Sequence, residues 1–135
     1  MPDQPTETLN MKKIIPILVF ILFISGCQFQ KPDYLKMVTA ADLNKLMQQQ
    51  DIFLVDVHTP QQQHIKGTDL FIPYNEIEKY QDKLLKDKNT PIYLYCKSGS
   101  MANAAARSLH ELGYTNLINL EDGVNAWQKA GFAFQ

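Results

Sequence analysis

Apolar positions along the chain change period several times, and each change predicts a new element. Leu35 to Val38 reads as a first strand at a sheet edge. Thr39 with Asp42 three residues later resembles a helix capping box, and Leu43, Leu46 and Met47 give the following helix one apolar face. Ile52 to Val57 is a continuous apolar run interrupted only by Asp56, as expected of a strand buried on both faces. Leu70 to Ile72 predicts a brief third strand. Ile77, Tyr80, Leu84 and Leu85 mark a helix face, which Asn89-Thr90-Pro91 ends. Pro91 to Tyr95 predicts a fourth strand and Met101 to Leu112 a helix whose Ala102, Ala104, Ala105 and Ala106 permit close approach to a sheet. Asn116 to Leu120 and Val124 to Ala130 predict the fifth strand and last helix. Strands alternating with helices imply an α/β fold, a parallel five-stranded sheet with helices on both faces.

In such sheets ligands bind beyond the carboxyl ends of the strands, and Cys96 falls there, directly after Tyr93-Leu94-Tyr95. Ser98, Gly99 and Ser100 follow it, with side chains too small to block the backbone, so successive N–H groups can turn toward one point near the sulfur. The helix that begins around Ser100 adds its unsatisfied N–H groups and the positive end of its dipole. A thiol so placed is favoured as the reactive thiolate. Lys97 is the loop's one cation, and Met101 closes the segment.

The strand, Cys96, the loop Lys97 to Ala102 and the helix together resemble the active-site segment of the rhodanese family of sulfurtransferases. The resemblance spans roughly Val38 to Phe132. Phe53-Leu54-Val55-Asp56-Val57, His64-Ile65-Lys66-Gly67-Thr68 and Ile72-Pro73 are similar to its upstream half, and Leu112-Gly113-Tyr114, Asn116-Leu117, Leu120, Gly123, Trp127 and Gly131 to its closing strand and helix. Three departures accompany it. His58 stands where an arginine usually follows the aspartate and valine, the interval from Asp56 to His64 is short, and Lys97 and Met101 occupy loop places that often hold arginine. These alter the rim of the site and bear on substrate choice rather than on fold.

The resemblance implies that Cys96 attacks the outer sulfur of a donor such as thiosulfate and holds it as a persulfide until a thiol or cyanide acceptor removes it. Lys97, Ser98, Gly99, Ser100 and Met101 would line the donor site, with the loop N–H groups stabilising thiolate, persulfide and leaving-group charge. Asp56 and His58 are supporting candidates, Asp56 as a hydrogen-bond anchor for the loop or its flanks and His58 as a rim residue. His64 and Trp127 read as structural. No cofactor is implied, and His58, His64 and His110 are too scattered for a metal site. A non-enzymatic persulfide carrier or sulfur-binding module, with a protein acceptor, is the alternative. A cysteine phosphatase is disfavoured, because its phosphate-clamping arginine would stand at Ala102. Arg107, the chain's one arginine, lies five residues beyond it, about 7.5 Å along a helix.

The 135 residues leave room for one domain. Lys12 and Lys13 precede an apolar run from Ile14 to Ile24, too short to span a bilayer comfortably and suited to a secretory signal. Its ending, Ile24-Ser25-Gly26-Cys27, resembles a bacterial lipobox, which implies lipidation of Cys27. The expected division is residues 1–26 as signal peptide, with Met11 the better-fitting start, 27–34 as lipidated tether and 35–135 as the rhodanese-like domain. The protein would then be a lipoprotein of the cell envelope, facing the periplasm or the exterior. Gln28 after the cysteine favours the outer membrane. Lipidation would leave Cys96 as the free thiol and exclude an internal disulfide. The net charge of −1 is unchanged when Asp3, Glu7, Lys12 and Lys13 are removed, and gives no sign of nucleic-acid binding.

Overall fold

The computed structural model describes residues 31–135, so the signal-peptide and Cys27 expectations lie outside the described residues. Strand β1 (Leu35–Val38) leads through Thr39 into helix α1 (Ala40–Gln49). Thr39 caps that helix as the spacing predicts. Its Oγ1 accepts from the Asp42 N–H at 3.2 Å and donates to the Asp42 carboxylate at 2.8 Å. The rest of the chain forms β2 (Phe53–Asp56), β3 (Leu70–Phe71), β4 (Ile92–Tyr95), α2 (Ser100–Glu111), β5 (Leu117–Leu120) and α3 (Gly123–Lys129).

All strand pairs are parallel, in the order β1-β5-β4-β2-β3, which puts β4 at the centre and β1 at an edge. Side chains along β4 alternate between two cores. Ile92, Leu94 and Cys96 join Ala102, Ala105, Ala106 and Leu109 of α2 on one face. Tyr95 joins Leu43, Leu54, Leu120 and Trp127 on the other, beneath α1 and α3, with Tyr93 packed at its margin. Trp127 is core, as its spacing predicts, and its indole N–H donates to the Ala133 carbonyl at 3.0 Å. Among the described residues no helix is long and apolar enough to cross a membrane.

One element departs from expectation. The helix expected around Ile77 to Leu85 is instead a 3-10 stretch over Ile77–Lys83, with non-helical angles at Tyr80 (φ −110°, ψ 23°). Ile77 and Leu84 are buried and Tyr80 only partly so. A seven-residue segment with a three-residue step from Ile77 to Tyr80 buries its anchors without needing a full α-helical turn.

Candidate active site

The central strand delivers Cys96 to the carboxyl edge of the sheet, and the loop after it is shaped from both sides. Gly99, at φ 108°, is the residue from which α2 starts, a left-handed conformation that a side chain would strain. Its N–H donates to Cys96 Sγ at 3.0 Å, so the predicted turn of the loop backbone toward the sulfur is present at this position. Cys96 is 1% exposed.

The start of α3 grips the loop from behind. The Val124 N–H donates to the Cys96 carbonyl at 2.9 Å and the Asn125 N–H to the Lys97 carbonyl at 3.1 Å. These N–H groups would otherwise be orphans of a helix start. Because each peptide is planar and trans, carbonyls turned toward α3 send the Lys97 and Ser98 N–H groups the opposite way. Close approach is permitted by Gly123, where an added Cβ would lie 2.1 Å from the Cys96 oxygen.

The expected donor-site residues do not behave alike. Lys97, Ser98 and Ser100 are exposed and Gly99 is buried. Met101 is half-buried and packs against the core shared with α2, so its thioether serves packing. Ser98, Gly99 and Ser100 border an open pocket of about 410 Å³ with Asn103, Asn119, Glu121 and Asp122. Lys31 and Met37 complete its lining. Asn119 is the most consequential: it is fully buried in β5, and its Nδ2 donates to the Gly99 carbonyl at 3.1 Å and to Asn103 Oδ1 at 2.8 Å. Its signal in the sequence is one amide inside the apolar run Leu117-Ile118-Asn119-Leu120.

Asp56 ends β2 in register with Tyr95 and is fully buried. Its carboxylate serves the flank of the site. It accepts from the His58 N–H at 2.9 Å, from His64 Nδ1 at 2.8 Å and from Gln62 Nε2 at 3.3 Å to both oxygens. The Gln61 amide donates to His64 Nε2 at 2.9 Å, which assigns the ring proton to Nδ1. His64 is thus structural, as expected, although its tie to Asp56 was not foreseen. His58 is half-buried and its ring is bonded to the Pro60 carbonyl at 2.7 Å, within its own loop. Below this flank Tyr95 accepts from the Ile65 N–H at 3.0 Å and bonds Thr68 Oγ1 at 2.7 Å, and burial pushes its hydroxyl pKa well up. Removing the Asp56 carboxylate leaves several donors without a partner. Asp56→Ala is expected to cost ~2 kcal/mol, read as a lower urea midpoint; an unchanged midpoint would show that the flank holds itself.

Cys96 is thus a buried thiol at the end of a central parallel strand, facing a glycine N–H where the chain enters a helix. Residues 39–130 match the Rhodanese-like domain. The chain belongs to the rhodanese-like family. A sulfurtransferase of Allochromatium vinosum is 31% identical over 101 residues, covering 70% of this chain and 92% of that protein. The thiosulfate sulfurtransferase PspE of Escherichia coli K12 is 34% identical over 68 residues, 48% of this chain and 64% of PspE, so the match spans less than two thirds of that enzyme. Among solved structures, a rhodanese-related protein of Thermoplasma volcanium matches with a TM-score of 0.63 at 23% identity, over 74% of this chain and 97% of that one, a likeness of fold. The rhodanese-like assignment and the five-stranded parallel sheet agree with the reading of the sequence.

Proposed function

We propose that the protein is a sulfurtransferase that moves sulfane sulfur from an anionic donor such as thiosulfate to a thiol or cyanide acceptor through a persulfide on Cys96. The observation that carries this reading is the Gly99 N–H at 3.0 Å from Cys96 Sγ, in a loop whose neighbouring carbonyls are drawn back by α3. The Cys96 thiolate attacks the outer sulfur of thiosulfate. A bond forms between the two sulfurs, the bond to the inner sulfur breaks, and sulfite leaves with its electron pair. An acceptor thiolate or cyanide then attacks the terminal sulfur and Cys96 departs as thiolate. Both steps keep negative charge near the sulfur, where a fixed N–H donor stabilises it without reorganisation.

Phosphate-ester chemistry is disfavoured by the side chains available. Ala102, at the place of a phosphate clamp, is fully buried, and Arg107 is exposed along α2. We further propose that Cys27 is lipidated and holds the domain, residues 35–135, at the cell envelope. Its basis is the Ile24-Ser25-Gly26-Cys27 ending. Loss of lipid labelling in Cys27→Ser would support this, and unchanged labelling would remove it.

The decisive experiment incubates the purified chain with thiosulfate or polysulfide and weighs it intact for one added sulfur atom. Failure to load from either donor would sink the reading, and turnover with cyanide or a thiol separates an enzyme from a stoichiometric carrier. Lys97 tests the donor's charge. An exposed ammonium attracts an anion with less geometric control than a guanidinium fork. Lys97→Ala is therefore expected to raise the Michaelis constant for thiosulfate about five-fold at low salt with kcat little changed. Unchanged low-salt kinetics would leave anion binding to the backbone alone.

A further inference from the structure

We infer that Asn119 is a positioning residue for the sulfur site, holding from β5 the glycine whose N–H faces Cys96. The chain of contacts is short. Asn119 Nδ2 donates to the Gly99 carbonyl at 3.1 Å, and the Gly99 N–H donates to Cys96 Sγ at 3.0 Å. The Gly99 carbonyl also accepts the Asn103 N–H at 3.0 Å as the first bond of α2. Two donors on one carbonyl fix the peptide that follows Gly99. Glycine has no Cβ to fix its own rotation, so this grip sets where the N–H before it points.

The amide's orientation follows from its partners. A carbonyl can only accept, so the atom facing Gly99 must be the amide nitrogen. Asn119 Oδ1 is then left buried without a hydrogen-bond partner among the described residues. A buried acceptor left unpaired destabilises the fold. Among the described residues Asn119 is the one buried amide side chain, and an apolar residue of its size would fill β5 without that penalty. Both donors are spent on the loop and the start of α2, which points to the geometry of the site as what the amide serves.

This inference takes its turnover readout from the sulfurtransferase reading, but its other readouts need no sulfur donor. In Asn119→Leu no buried group loses its last partner, since Gly99 keeps the Asn103 N–H and Asn103 is exposed to water. The expected result in the full chain is a melting temperature equal to or above wild type, with kcat about ten-fold lower and the Michaelis constant nearly unchanged. Alkylation of Cys96 by iodoacetamide should slow and hydrogen exchange at the Gly99 N–H should quicken. Asn119→Ser, too short to reach Gly99, should repeat the kinetic, alkylation and exchange changes at a lower melting temperature, and decides the matter if the leucine variant does not fold. A folded variant with wild-type kcat and alkylation would overturn the inference, as would failure of both variants to fold, which would make Asn119 a stability residue. Wild-type protein that loads no sulfur would sink the sulfurtransferase reading alone, because alkylation and exchange still report on Asn119.

Discussion

Cys96→Ser is expected to abolish sulfur loading, with turnover falling at least ~10³-fold, while the domain stays folded. The change replaces sulfur by oxygen at a site that is 1% exposed and packed against α2, so volume and shape are nearly kept. The Gly99 N–H retains an acceptor, now a hydroxyl oxygen in place of Sγ at 3.0 Å. Chemistry fails for a different reason. An alcohol is far harder to deprotonate than a thiol, and its oxygen cannot carry the persulfide. Intact mass after thiosulfate treatment and a thermal melt measure the two halves separately. Full turnover by the serine variant would move the sulfur-carrying role away from Cys96. A collapsed melt would mean that the thiol also holds the core together.

The fold was legible because its apolar periods are clean. Ile52 to Val57 and Pro91 to Tyr95 are runs that only doubly covered strands need, and both became central members of the sheet. The capping pattern at Thr39 and Asp42 works through local contacts alone, so sequence spacing was sufficient to find it. The Ile77 to Leu85 segment was misread because four apolar positions over nine residues suit either an α-helix or a looser 3-10 path. Burial of Ile77 and Leu84 was satisfied by the latter.

The site was legible as a loop and only partly as a site. Cys96 and the small residues after it are contiguous, so their chemistry shows in the string. Asn119 and Gly123 act on that loop from twenty residues away or more, across a strand and a helix, and only the parallel pairing of β4 with β5 brings them together. Met101 looked like a lining residue because it follows the loop directly. The helix that begins at Ser100 rotates it toward the core instead. Asp56 was expected to steady the loop or its flanks. Its bonds run to His58, Gln62 and His64 on the flank, a cluster spread over separations of two, six and eight positions.

Gly123→Ala is expected to be the most damaging conservative change, because it joins two penalties that are usually separate. At φ 48° a Cβ is strained by ~1 kcal/mol or more. That Cβ would also stand 2.1 Å from the Cys96 oxygen, 2.8 Å from its carbonyl carbon and 2.9 Å from that of Lys97. All three are backbone atoms, so relief requires α3 or the loop itself to move. Either movement breaks the Val124 and Asn125 hydrogen bonds that draw the loop carbonyls back. Summed with ~1 kcal/mol for each lost bond, the expected loss is ~3 kcal/mol, a fall of about 10–20 °C in Tm. Gly113→Ala is the matched control, since Gly113 also has positive φ, 95°, yet nothing lies within 4 Å of its added Cβ. The difference between the two variants isolates the close approach of α3 to the cysteine loop. Sulfur loading by the Gly123 variant, measured well below its melt, should also fall, because the peptides that aim the loop N–H groups have shifted. If Gly123→Ala is no less stable than Gly113→Ala and loads sulfur normally, α3 merely passes the loop and does not shape it.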